Sequence, residues 1–248
     1  MRNPVVFAVA LLAGVLLALP AYAVYTPLGT VDIEFLGHGA GWVVPFSVGG
    51  QEFQAVSGVY NFHKVSSTGA GNLLSDPFCG FCIEPDVPLW DGSYDVVMPE
   101  EAPNPGFLGG GQMGPTKALE LAELWGRFFD EAWCADDGST LDDNYAAAAF
   151  GIAIWEIIIE NPSGYDVTSG SFAVDLSLPN AIIDAANQML CALTGDFEGM
   201  AKLRVLTDDK YGQDILVEVP EPGEFVMVGS GLLAMMVLLR RRKYQQRI

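Results

Sequence analysis

The sequence predicts an α+β domain: a β-rich, sandwich- or barrel-like body with a three-helix insertion, flanked by an N-terminal signal peptide and a C-terminal single hydrophobic helix. Three observations carry this expectation. Segments rich in Val, Phe and Tyr open the body, and the shorter apolar runs LRVLT and DILVEV close it, which marks strands. Helical periodicity holds the middle, and grouped strands and helices, as opposed to alternating ones, are the mark of α+β order. Short apolar runs close the chain at both termini.

The first terminus reads as an export signal. Arg2 is followed by an apolar stretch from Val5 to Leu19, and Ala21-Tyr22-Ala23 forms a small-residue cleavage pattern, with Ala21 and Ala23 as its key positions. Three segments are therefore expected: 1–23 as signal peptide, 24–219 as the exported body, and 220–248 as a sorting or anchor segment.

The body opens with TVDIEFLG, GWVVPFSVGG and QEFQAVSGVYNFHKV, strand candidates punctuated by glycine. FCGFCIEP and SYDVVM follow as two more. PEEAPNPGFLGGGQMG is kept irregular by Pro and Gly. In TKALELAELWGRFFDEAW, Leu121, Leu124, Trp125, Phe128 and Phe129 form an apolar stripe, with Glu120, Glu123, Arg127 and Asp130 off it. DNYAAAAFGIAIWEIIIEN is apolar on nearly every side, so it belongs in the middle of the domain. Asp143 or Asn144 can cap its start, and Asn161-Pro162 can stop it. PNAIIDAANQMLCAL opens on Pro179 and ends toward Gly195. LRVLT and DILVEV return to strand.

Charge excludes one class of partner. The chain has 12 basic and 31 acidic residues, and 24–219 alone keeps 6 and 29 of them, a net −23. Such a surface repels nucleic acid.

Few residue patterns offer chemistry. Cys79, Cys82, Cys134 and Cys191 allow three disulfide connectivities in an exported chain. The expected pair is Cys134–Cys191, since both lie in the helical region. Cys79-Gly80-Phe81-Cys82 has the spacing of a redox motif, but Pro85 and Pro88 prevent the helix that would lower a thiol pKa. A zinc site would need a second close pair, so no metal and no cofactor are expected. His38 and His63 fit no metal or catalytic spacing and read as ordinary strand or loop residues. DDGSTLDDN lacks the ligand spacing of a calcium loop. Glu156, beside Trp155 in the apolar helix, must find hydrogen-bond partners or be neutral. No nucleophile elbow or phosphate loop is present, so no catalytic residue is expected and the chain is read as a non-enzyme. A secreted hydrolase is the least favoured class.

Two resemblances add to this reading. The tail, Val219-Pro220-Glu221-Pro222, then an apolar stretch from Phe225 to Leu239, then Arg240, Arg241, Arg242 and Lys243, resembles the PEP-CTERM sorting signal. That resemblance implies recognition by an exosortase-type membrane peptidase and association with exopolysaccharide, biofilm or other matrix material at the cell surface. Fifteen helical residues reach only about 22 Å, short of a comfortable span. The basic cluster would hold the C-terminus in the cytoplasm, so the membrane is a partner through this helix before processing.

The body, through Phe81-Cys82-Ile83-Glu84, LAELWGRFF, AFGIAIWE, Gln188-Met189-Leu190 and Gln213-Asp214-Ile215, resembles the exported domain often found before such tails. The pair F-C-x-[DE] and A-F-Q-x-A-I-W-E is also similar to thioester domains of bacterial surface adhesins. There a cysteine sulfur is acylated by a glutamine. Cys82 matches the cysteine, but Gly151 stands where the glutamine would be, which implies a degenerate relative that keeps the scaffold and lacks the crosslink. The expected function is a structural or adhesive surface protein; a thioester-type covalent adhesin is the alternative.

Overall fold

The structure is a computed structural model that describes residues 25–105, 111–135, 140–160, 164–208 and 212–220. The signal peptide, Glu221, Pro222, the apolar tail, the Arg240–Lys243 cluster, the GGG loop and Asn161-Pro162 lie partly or wholly outside these residues.

The two strand candidates at the start are one element. β1 runs unbroken from Gly29–Val48, and β2 covers Gln51–Ser67. The turn between them is Gly49-Gly50, with φ of 57° and 82°. Two consecutive positive φ values give the tight turn whose twist matches paired strands, and glycine adopts them without a Cβ penalty. The glycines within β1 do not end it. Gly37, Gly39 and Gly41 accompany two of its three register slips, those between Phe35 and Gly37 and between His38 and Gly41.

β3 (Phe78–Cys82) and β4 (Gly92–Val97) follow. The helical insertion holds α1 (Pro115–Phe128), α2 (Leu141–Ile159) and α3 (Asn180–Cys191). A three-residue strand that was not foreseen, β5 (Phe172–Val174), interrupts it. β6 (Leu203–Thr207) and β7 (Ile215–Glu218) complete the sheet. All pairings are antiparallel, in the order β2-β3-β7-β6-β4-β1-β5, and β2 also pairs with β1. The architecture is α+β and β-rich, as expected.

One edge of β1 holds β2 along nearly its whole length. The other edge holds β4 at Gly29–Ile33 and β5 at Phe46–Val48. Between these, Gly41 donates its N–H to Asn144 Oδ1 at 3.0 Å, so part of the uncovered edge is satisfied by the helix beside it.

Asn144 therefore serves the sheet and not its own helix. The cap of α2 is Thr140, whose hydroxyl accepts from Asp143 N, while the Asp143 carboxylate accepts from Thr140 N at 2.8 Å. This reciprocal capping box satisfies two backbone donors at once and replaces the expected cap at Asp143 or Asn144.

From Ala147 to Ile159 every residue of α2 is buried. It packs on β1 and β2 with one side and on α1 and α3 with others, as a helix apolar all round must. Phe81, Trp125, Phe129 and Phe150 form one aromatic cluster, with ring centroids 4.6–6.3 Å apart and mostly edge-to-face. Each fully buried ring of this kind contributes about 1.5–3 kcal/mol.

Glu123 departs from expectation. Read as lying off the stripe of α1, it is fully buried. Its carboxylate accepts from Thr194 N, Thr194 Oγ1, Gly195 N and Arg127 Nε at 2.7–2.9 Å. Apart from Arg127 of α1 itself, the donors come from the turn after α3, which α1 meets only in the folded chain.

Candidate functional site

The disulfide joins Cys79 to Cys134, not Cys134 to Cys191. β3 carries Cys79 opposite Asn61 of β2. The short 3-10 helix Glu131–Cys134 after α1 turns back onto β1 and β2, which delivers Cys134 to the same face. Cys191 ends α3 as an exposed free thiol. Shared membership of the helical region does not bring two cysteines together, because helices on one layer can expose different ends.

Cys82 is free and buried. Burial pushes its thiol pKa well up, against the opposing effect of the Glu84 N–H. The indole of Trp155 donates to Cys82 O at 2.9 Å, so α2 is fastened to the end of β3. Gly151 lies one helical turn earlier. A Cβ placed there would meet Gly58 N at 3.2 Å, Phe81 Cδ1 at 3.5 Å and Ser57 Oγ closer still. Ser57 is buried and donates to Ala148 O at 2.8 Å. The space a side chain at 151 needs is therefore filled by β2. The structure brings the segments of Cys82 and Gly151 together across one helix–sheet contact, and no side chain reaches from α2 at that point.

Glu156 is also on this helix and 1% exposed. Its Oε1 accepts from Asp166 N at 2.9 Å, while Oε2 has no hydrogen-bond partner among the described residues. Burial pushes its pKa up to about 7, and the Asp166 N–H only partly offsets this.

The described molecule also has an open cleft of about 660 Å³ at the end of β3. One wall is the turn Glu84–Pro88. Gln213 pins it, donating Nε2 to the carbonyls of Glu84 (3.2 Å) and Val87 (3.0 Å), and its own N–H to Pro88 O at 3.1 Å. Gln213 Oε1 is buried and has no hydrogen-bond partner among the described residues. Glu84 Oε2 accepts from Asp214 N at 3.1 Å. Burial, with the Asp86 charge nearby, lifts Glu84 to about 7.

The facing wall is aromatic. His38 meets Tyr60 edge-to-face at 4.6 Å and Phe35 at 5.1 Å. Burial among these groups pulls the His38 pKa below its ordinary value. Tyr60 donates its hydroxyl to Val56 O at 3.1 Å. At the rim, Asp91 Oδ1 accepts from Phe35 N at 2.8 Å, and Tyr94 donates its hydroxyl to Trp90 O at 2.8 Å. Trp90 is 57% exposed. His38 thus belongs to a built cluster, whereas His63 pairs with Asp76 at 2.8 Å in an exposed loop contact. The only hint of the cleft in the sequence is glycine inside a strand pattern at Gly37, a mark of a bulge.

Of the tail motif, Val219 and Pro220 are described. Val219 belongs to the body: it is buried, and its N–H donates to Lys202 O at 2.8 Å. Among the described residues no helix is long and apolar enough to cross a membrane, and no group of three or more His, Cys, Asp or Glu side chains could hold a metal ion.

Together these features define an antiparallel β-rich domain with a buried central helix and one aromatic, carboxylate-bearing cleft. Comparison with models of protein families, with characterised proteins and with solved structures finds no match for this chain.

Proposed function

We propose that this chain is an exported, non-enzymatic surface or matrix protein with a structural or adhesive role. In this reading it is delivered by its N-terminal signal and sorted by its PEP-CTERM-like tail, with an exosortase-type peptidase as processing partner and exopolysaccharide or similar matrix material as surroundings. The observation that carries the reading is the Cys79–Cys134 disulfide. Disulfides persist in oxidising compartments and are rare in the cytosol, so the bond agrees with the signal-like N-terminus. We read the closed ladder, in which β2 pairs back onto β1, as a barrel-like body stapled by that bond.

The covalent-adhesin alternative is weaker. Gly151 offers no acyl donor, and Ser57 occupies the adjoining space.

Cell fractionation of the native producer, with mass analysis of both chain ends, tests the proposal. The expected result is an envelope or extracellular protein beginning at Val24, with the basic cluster removed or held at the membrane. A cytosolic protein retaining residues 1–23 would overturn it.

A further inference from the structure

We propose that the cleft between the Glu84–Pro88 turn and the Phe35–His38 bulge binds a glycan segment free of acidic groups. Trp90 and His38 would supply ring surface, and Asp86 and Gln54 hydroxyl acceptors. This deepens the matrix-protein reading and rests on it for where such a ligand is met.

Size, charge and ring placement converge on that chemistry. A volume of about 660 Å³ lies within the range of pockets that hold ligands of several rings. Among the described residues no Lys or Arg lines the cleft, while Asp86 and Asp91 do. A uronate or phosphate would meet uncompensated like charge there. The pyranose ring offers the opposite match. Its axial C–H face is weakly positive and apolar, suited to the negative face of an indole, and its hydroxyls are donors for carboxylate and amide oxygens.

A small ammonium ion is the less suitable occupant. It is best held by aromatic faces turned toward one centre. Here His38 packs edge-to-face on both Phe35 and Tyr60, at interplanar angles of 70° and 74°, and Phe35 and Tyr60 are tilted at 43° to each other. The pinned turn and the Asp91–Phe35 bond hold both walls in place, so little ordering cost accompanies binding.

The test is calorimetric titration of the full chain, purified in a detergent without a sugar headgroup. The probes are cellotetraose, mannotetraose, a glucosamine tetramer, a galacturonate tetramer and tetramethylammonium chloride. Saturable binding of at least one neutral or amino-sugar tetramer is expected, weakened roughly tenfold or more in both Trp90→Ala and Asp86→Asn. The galacturonate should not bind. Trp90 and Asp86 are exposed, and an unchanged thermal transition confirms that each variant is folded. The proposal is overturned if none of the three non-acidic tetramers binds, if either folded variant binds as the parent does, or if galacturonate or tetramethylammonium is the preferred probe. Failure here leaves the export reading standing, because that reading is scored on cell fraction and chain ends. Binding by a chain found unprocessed in the cytosol would keep the cleft and remove the export reading.

Discussion

Phe35 and His38 stand three residues apart in one strand, yet their rings share a face with centroids 5.1 Å apart. In a regular strand, residues separated by three point to opposite faces. The register slips between Phe35 and Gly37, so Phe35 lies opposite Phe62 and His38 opposite Tyr60. Their partners are two apart and therefore on one side. One extra residue in β1 builds the aromatic wall of the cleft.

Gly37, at φ 137°, holds that bulge in a conformation L side chains rarely adopt. Gly37→Val should cost about 1–3 kcal/mol in urea unfolding and should also abolish any glycan titration signal. Val43, exposed in the same strand, provides the control: Val43→Thr should leave both nearly unchanged.

Non-reducing peptide mapping should join the Cys79 and Cys134 peptides and leave Cys191 alkylatable without denaturant. Closing a loop across 55 positions restricts the unfolded chain, so Cys134→Ser should lose about 2–4 kcal/mol. Cys191→Ser should stay within about 0.5 kcal/mol of the parent.

Glu156 should make stability fall as pH rises. Its carboxyl is lifted from 4.5 to about 7, so between those values the folded state keeps a proton that the unfolded chain releases. Stability is full below about pH 4.5 and declines through pH 7. Glu156→Gln should remove about 1–3 kcal/mol of that decline, read from urea midpoints at pH 5 and 8. Glu84, also lifted to about 7, leaves a residual slope of the same sign.

Gly151→Ala should destabilise by about 1–3 kcal/mol, because the added methyl meets buried Ser57 in a packed interface. Adding Ser57→Gly should recover much of the loss, so the two changes are non-additive in a double-mutant cycle. Gly151→Gln should show neither the loss of one ammonia in intact mass nor reaction with methylamine. Either signal would revive the covalent-adhesin alternative.

Glu123 holds α1 to the turn after α3. Burial alone would raise its pKa, but the Thr194 and Gly195 N–H groups, the Thr194 hydroxyl and Arg127 more than offset it and leave it below the ordinary value. Glu123→Ala strands those donors and should cost about 3–5 kcal/mol, measured as a lower urea midpoint at pH 7.

Local patterns made much of the fold legible. The all-round apolarity of 145–159 is enough to place α2 at the centre, since a helix with no polar face can only be buried. The paired glycines at 49 and 50 mark the hairpin, because only they take two positive φ values freely. The seven-strand order was not legible, nor was the short β5, which forms because Pro45–Val48 of β1 offers it an edge.

By itself the sequence determined most element types of the body, its strongly acidic charge and the lack of a side chain at Gly151. Each follows from composition or from contacts between near neighbours. Tertiary structure alone decided that Cys79 and not Cys191 pairs with Cys134, that Glu123 is buried, and that Phe35, His38, Tyr60 and Trp90 line one cleft. Those outcomes depend on residues far apart in the chain meeting in space, and strand register and helix docking set such meetings after local propensity has been satisfied.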